Sequence, residues 1–191
     1  MTSNLCAQAA EQAGLNQAAL RHLADVAREV AELGGAELMR HYGRLSSIEN
    51  KGRIGDLVTN ADLAAEARVL EALTERTPDI AVLAEESGAR GEQDGLRWCV
   101  DPLDGTTNFA HGYPFFATSI GLTWRQQPVL GAIAVPFLNE TFWGAPGLGS
   151  FLNTSPMQVS SCNHLADALL VTGFAYDRHT RLDNNYAEFC W

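Results

Sequence analysis

The chain has 191 residues, 46% of them hydrophobic and 19% charged, which is the balance of a folded domain with a sizeable core. Its formal net charge is −10 and its thirteen Lys and Arg residues are scattered singly, so there is no positive stripe of the kind nucleic acid or an anionic membrane surface would require. No stretch approaches the roughly 18 consecutive apolar residues of a membrane span, and Cys6, Cys99, Cys162 and Cys190 form no CxxC pair, so the expectation is a cytoplasmic protein with reduced, structural cysteines.

Residues 1–16 carry no strong pattern and are expected to be a flexible N-terminus. From Gln17 to Tyr42, apolar residues recur at Leu20, Leu23, Ala24, Ala27, Val30, Ala31 and Leu38 with helical spacing, and Gly34 and Gly35 weaken that helix without ending it. Thr59 followed by Asp62 predicts the capped start of a second helix, with Leu63, Ala67, Leu70 and Leu73 on one face and an end at Thr77-Pro78. Ile80 to Ala84 reads as a buried strand that delivers Glu85 and Glu86 to a loop. Leu96 to Val100 reads as another, with Asp101 at its carboxyl end and Pro102 forcing a turn. Gly105 allows close approach of a ligand, and Thr106, Thr107 and Asn108 suit the start of a helix. Ala117 to Trp124 and Val129 to Val135 are expected as strands joined at Arg125-Gln126-Gln127-Pro128, followed by short strands at 141–143 and 150–152, a further strand within 165–172, and helical turns from about Asn184. The fold class expected is α/β, as an α+β layered sandwich. Its first domain would span residues 17–145, and residues 146–191 would begin a second, C-terminally truncated one.

Four acids fall at strand ends or at a cap: Asp62, Glu85, Asp101 and Asp104. Hard divalent cations such as Mg²⁺ take oxygen ligands, and carboxylates gathered without a cation repel one another. An isolated Asp-x-x-Asp is ordinarily a solvated turn. Here it runs straight into a glycine and two threonines, a layout able to hold both a metal and a phosphate.

The run Asp101-Pro102-Leu103-Asp104-Gly105-Thr106-Thr107-Asn108-Phe109 resembles the first signature of the inositol monophosphatase family, Mg²⁺-dependent and typically Li⁺-sensitive sugar phosphatases. Lys51, Asp56-Leu57-Val58-Thr59 and Asp62 resemble its upstream block, Glu85-Glu86-Ser87 its metal-binding glutamate loop, and Gly173 to Arg178 a segment bordering the site. The resemblance implies a first Mg²⁺ on Glu85, Asp101 and the Leu103 carbonyl, and a second on Asp101 and Asp104, in a family site of two or three ions. It further implies that Thr106, hydrogen-bonded to Asp62, positions the attacking water beside Glu85, and that Asp104 and the Gly105 and Thr106 amides meet the substrate. The reaction implied is hydrolysis of a small phosphate monoester, inositol 1-phosphate first, in a protein compatible with a homodimer. Relatives with the same signature act on fructose 1,6-bisphosphate, nucleotide 3′-phosphates or histidinol phosphate.

One departure stands out. The family's second signature begins with Trp-Asp and supplies a further metal ligand, yet Trp98, Trp124 and Trp143 precede Cys99, Arg125 and Gly144, and Trp191 is the last residue. A catalytically impaired fragment or a non-catalytic metal- or phosphate-binding remnant is therefore the rival reading. Among residues open to over-reading, His111 is taken as structural or at the site's rim, Gly147-x-Gly149 as a tight hairpin, and Trp124, Trp143 and Phe137 as core.

Overall fold

The segment 1–16, expected to be flexible, is largely helical. In the computed structural model, which describes residues 2–50, 52, 57–91, 94–174, 184 and 189–190, α1 spans Thr2–Gln12 and buries Ala9 and Ala10. Its buried face consists of alanines, strong helix formers with little hydrophobic contrast, so no amphipathic pattern marks it. Lys51, Asp56, residues 175–178 and most of the expected helical turns after Asn184 lie outside the described residues.

Helix α2 (Gln17–His41) is capped by the Asn16 side chain, which accepts from the Ala19 N–H, and all seven apolar positions read from its periodicity are buried. Gly34 and Gly35 are buried as well, for a reason of space. A Cβ on Gly34 would lie 2.7 Å from the Thr118 methyl and 3.0 Å from Val69, and one on Gly35 would lie 3.2 Å from Pro136. The two glycines let α2 approach the sheet more closely than any side chain would permit.

A two-stranded ribbon of β1 (Ile48–Asn50) and β2 (Leu57–Thr59) leads into α3 (Asn60–Arg76). A larger sheet follows, built from β3 (Ala81–Ala84), β4 (Gly88–Arg90), β5 (Leu96–Asp104), β6 (Ala117–Trp124), β7 (Gln127–Val135), β8 (Glu140–Ala145), β9 (Gly149–Leu152) and β10 (Ser155–Pro156), with the short helix α4 (Thr106–Ala110) between β5 and β6. The strand order is β10-β9-β8-β7-β6-β5-β3-β4, and among these pairs β3 with β5 runs parallel while the others are antiparallel. Helices over a mixed sheet give the layered α/β architecture expected. The sheet does not stop at residue 145, however, because β9 and β10 extend it to Pro156.

Residues from all three long helices share one core with the strands. At its centre Trp98 is fully buried, and its indole N–H donates to Thr77 Oγ1 at 2.9 Å, whose hydroxyl in turn donates to the Leu73 carbonyl. A second cluster of Leu38, Ala61, Ala65, Leu103, Phe109 and Phe116 lies beneath α4, with the Phe109 and Phe116 rings in edge contact at 4.7 Å.

Three further expectations need correcting. Trp124 pairs with Gln127, so the β6–β7 turn is only Arg125-Gln126, both at positive φ (47° and 69°), without the Asn or Gly that usually signals such a turn. The strand expected within 165–172 is a 3₁₀ turn at Leu165–Asp167 followed by irregular chain, and Leu169, Leu170 and Val171 are exposed rather than paired. Phe137 is 46% exposed, whereas Trp124 and Trp143 do pack against the core; Trp143 also stacks on Phe151 at 4.4 Å. Gly147 and Gly149 occupy the β8–β9 connection at positive φ, as a tight hairpin requires.

Candidate active site

The parallel pairing of β3 and β5 builds the acidic half of the site. Ala84 lies opposite Val100, and the Glu85 N–H continues the ladder by donating to the Val100 carbonyl at 3.0 Å. Glu85 and Asp101 therefore lie side by side towards the carboxyl ends of their strands, the end at which α/β sheets commonly bind ligands, although β5 runs on to Asp104 rather than ending at Asp101 as expected. Beyond Asp101 the pairing with β6 is irregular until Asp104 meets Ala117. Pro102, which has no N–H to give a ladder, sits in that irregularity, and its carbonyl accepts from the buried Thr118 hydroxyl at 3.0 Å. Leu103 is buried in the cluster beneath α4 and acts as the anchor of this turn.

Helix α3 builds the other half. Asp62 forms a capping box with Thr59: its Oδ2 accepts from the Thr59 N–H at 2.8 Å and from the Thr59 hydroxyl at 2.6 Å, while Thr59 Oγ1 accepts from the Ala61 N–H. Its second oxygen, Oδ1, lies 3.0 Å from the Thr106 hydroxyl, which is also 3.0 Å from the Leu103 carbonyl. That hydroxyl has one proton, so it donates to one of these acceptors at a time and keeps its lone pairs for an incoming donor. Asp62 is 1% exposed; the residue whose spacing marks a helix start also links α3 to the Asp101–Thr106 turn.

Gly105 closes that turn at φ +90°, and a Cβ there would lie 3.2 Å from the Phe115 carbonyl. Both the conformation and the space call for glycine. The helix it starts is short, five residues, and is held from below by Phe109.

The acidic pair is electrostatically unsatisfied. The Asp101 carboxyl is pushed up from 3.8 to about 7, first by burial, then by the charge of Glu85 and a hydrogen bond with it, and then by the charge of Asp104; the Leu103 backbone pulls the other way. Asp101 Oδ1 is buried with no hydrogen-bond partner. An oxygen without a donor, beside a second carboxylate and within the field of a third, fits a hard cation. Among the described residues no three His, Cys, Asp or Glu side chains are already gathered as a closed metal site, and both Glu85 and Asp104 are exposed. The structure thus brings Glu85 to Asp101 and Thr106 to Asp62. Asp104 stands at the edge, facing a cleft of about 690 Å³ that Gly105, Asn108, Phe115, Val135 and Gly173 also line.

His111 is exposed, and its Nδ1 lies 2.8 Å from the Thr107 carbonyl, in keeping with a structural place at the rim. One residue of the site escapes the sequence reading. Glu66 is 4% exposed and accepts from the Glu86 N–H at 2.9 Å. The buried face of α3 is Ala61, Asp62, Ala65, Glu66, Val69, Leu70, Ala72 and Leu73, whereas Leu63 and Ala67, expected on that face, are exposed. An acid within the helix is ordinarily solvated, and Glu66 lies one turn after Asp62 on the buried face. The usable signal is its position directly after Ala65 and three residues before the apolar pair Val69-Leu70.

A helix-covered mixed sheet whose strand ends present clustered carboxylates beside a glycine-started turn defines a class of α/β proteins suited to cations and phosphate. The sequence model of the inositol monophosphatase family matches residues 19–190, and the chain belongs to that family. An inositol-1-monophosphatase of Synechocystis sp. is 51% identical over 168 residues, covering 87% of this chain and 58% of its own length. A fructose-1,6-bisphosphatase/inositol-1-monophosphatase of Aquifex aeolicus is 38% identical, covering 81% of this chain and 59% of its own. The solved inositol monophosphatase of Anabaena (Nostoc) sp. superposes with a TM-score of 0.79 at 47% identity, over 90% of this chain and 62% of that one. The chain thus spans about three fifths of the length of these relatives.

Proposed function

We propose that the protein containing this chain hydrolyses a small phosphate monoester, inositol 1-phosphate first, with Mg²⁺ as cofactor. The observation that carries the reading is the Glu85–Asp101 pair, aligned by parallel strands, with Asp101 leading into the turn whose threonine hydroxyl is held by a buried aspartate. Family membership and the names of the relatives support the reaction class. Glu85, Asp101, the Leu103 carbonyl and Asp104 would hold the cations. When bound, Mg²⁺ supplies charge neutralisation for the carboxylates and the phosphate and lowers the pKa of water. The chain's own groups do the rest. Thr106, its proton directed to Asp62, accepts a hydrogen bond from the attacking water and orients it beside Glu85. Gly105 and Thr106 offer backbone N–H groups to phosphate oxygens as charge develops on them. Asp104, at the mouth of the adjoining cleft, meets the alcohol portion of the substrate.

Among the described residues no helix is long and apolar enough to cross a membrane, and all four cysteines are free. The latter supports the further proposal of a cytoplasmic location. The two-activity name of the Aquifex aeolicus relative favours fructose 1,6-bisphosphate as the second substrate to try. Phosphate release from inositol 1-phosphate, fructose 1,6-bisphosphate, a nucleotide 3′-phosphate and histidinol phosphate, with and without Mg²⁺, tests the proposal. Mg²⁺-dependent release from inositol 1-phosphate above the others is the expected result. Mg²⁺ binding with no turnover of any ester would instead favour a binding role.

A further inference from the structure

The structure assigns Glu66 as a positioning residue for Glu85; the assignment rests on the metal-dependent reading just given. Glu85 is exposed and lies in the loop between β3 and β4. Its backbone, by contrast, is held on both sides. The N–H of Glu85 donates to the Val100 carbonyl at 3.0 Å, and the next N–H, that of Glu86, donates to Glu66 Oε2 at 2.9 Å. With both flanking peptide planes pinned, the two soft torsions between them are restrained, and so is the direction of the Glu85 Cα–Cβ bond.

Glu66 is suited to this task because α3 immobilises it. It is 4% exposed, one helical turn after Asp62 on the same buried face. Asp62 fixes the Thr106 hydroxyl and Glu66 fixes the Glu85 loop, so a single rigid helix sets the spacing between the water-orienting hydroxyl and the first cation-binding carboxylate. Groups that orient ligands from behind commonly change metal affinity by about 10- to 100-fold when removed.

The test compares Glu66→Ala, Glu66→Gln and, as a control on the same helix face, Val69→Ala, all in the full chain. Mg²⁺ binding is followed by calorimetry and exchange of the Glu86 amide by NMR. The inference expects Glu66→Ala to weaken Mg²⁺ binding about tenfold or more and to speed Glu86 exchange. Glu66→Gln, whose amide oxygen can accept the same N–H, should stay within about threefold of wild type. Val69→Ala should lose stability but leave Mg²⁺ affinity unchanged. Equal Mg²⁺ affinity in Glu66→Ala and wild type would overturn the inference while leaving the phosphatase reading intact, as would an equal loss in Val69→Ala. A wild-type chain that binds no Mg²⁺ at millimolar concentration would overturn the phosphatase reading, and this inference with it.

Discussion

Two aspartates of the site, the buried Asp62 and the half-buried Asp101, are in opposite states. Asp62 accepts three hydrogen bonds, from the Thr59 N–H, the Thr59 hydroxyl and the Thr106 hydroxyl, and it closes the cap of α3. Asp101 has an orphaned oxygen, a neighbouring carboxylate and a carboxyl pushed up to about 7. The first is satisfied by the fold itself and stabilises it; the second is held against its own electrostatics and becomes favourable only when positive charge arrives. Stability and chemistry are thus assigned to different carboxylates, one on α3 and one on β5.

Substitution at Asp101 should separate these roles most widely. Asp101→Asn is expected to lower turnover by about 10³-fold or more in a phosphatase assay while raising the melting temperature of the metal-free chain in chelator. The pH dependence follows from the direction of the shift. The folded-state value lies above the unfolded 3.8, so this carboxyl penalises the metal-free fold progressively from about pH 4 to about pH 7 and constantly above that. The gain from Asp101→Asn is therefore largest at pH 8 and fades towards pH 4; a variant less stable than wild type at pH 8 would contradict the contrast. Asp62→Ala should move both observables the same way, losing about 1–3 kcal/mol in denaturant unfolding from the broken cap and buried bonds, and about 10²-fold in turnover because Thr106 loses its acceptor.

Gly34→Ala probes the packing behind the site. Helix propensity alone favours alanine by about 1 kcal/mol, but the 2.7 Å approach to Thr118 forces a shift in a buried side chain that also holds the Pro102 carbonyl. We expect a net loss of about 1–2 kcal/mol with a smaller fall in turnover; a more stable variant would show that the glycine is not needed for close approach. The smallest effect belongs to His111→Ala, which should change turnover by less than about twofold, since this ring is exposed and lies 2.8 Å from a backbone carbonyl of α4. A larger loss would move His111 from the rim into the reaction.

Where a local rule and the tertiary arrangement agree, the sequence was readable. The α2 stripe and the Thr59 to Asp62 cap follow from spacing alone, whereas the strand read as ending at Asp101 runs on through an irregularity to Asp104. The departures share a cause as well. Helix α1 buries alanines that give no contrast, the Arg125-Gln126 turn adopts positive φ without glycine, and Glu66 looks like a surface acid because its partner, the Glu86 N–H, is twenty residues away. Charge on a buried face is legible only once the element it meets is known. The proximity of Glu85 to Asp101 likewise depended on β3 and β5 being parallel neighbours, which neither strand's composition specifies.

The contacts that assemble the site are short in chain terms. Glu66 reaches Glu86 across 20 residues, Asp62 reaches Thr106 across 44, and Pro102 reaches Thr118 across 16. Loop-closure cost grows only with the logarithm of length, so the longest of these exceeds the shortest by roughly 0.9 kcal/mol. The stretch from Thr59 to Thr118 can therefore organise its carboxylates and hydroxyls by local closure, with α2 and the β7–β10 strands joining as a surrounding frame.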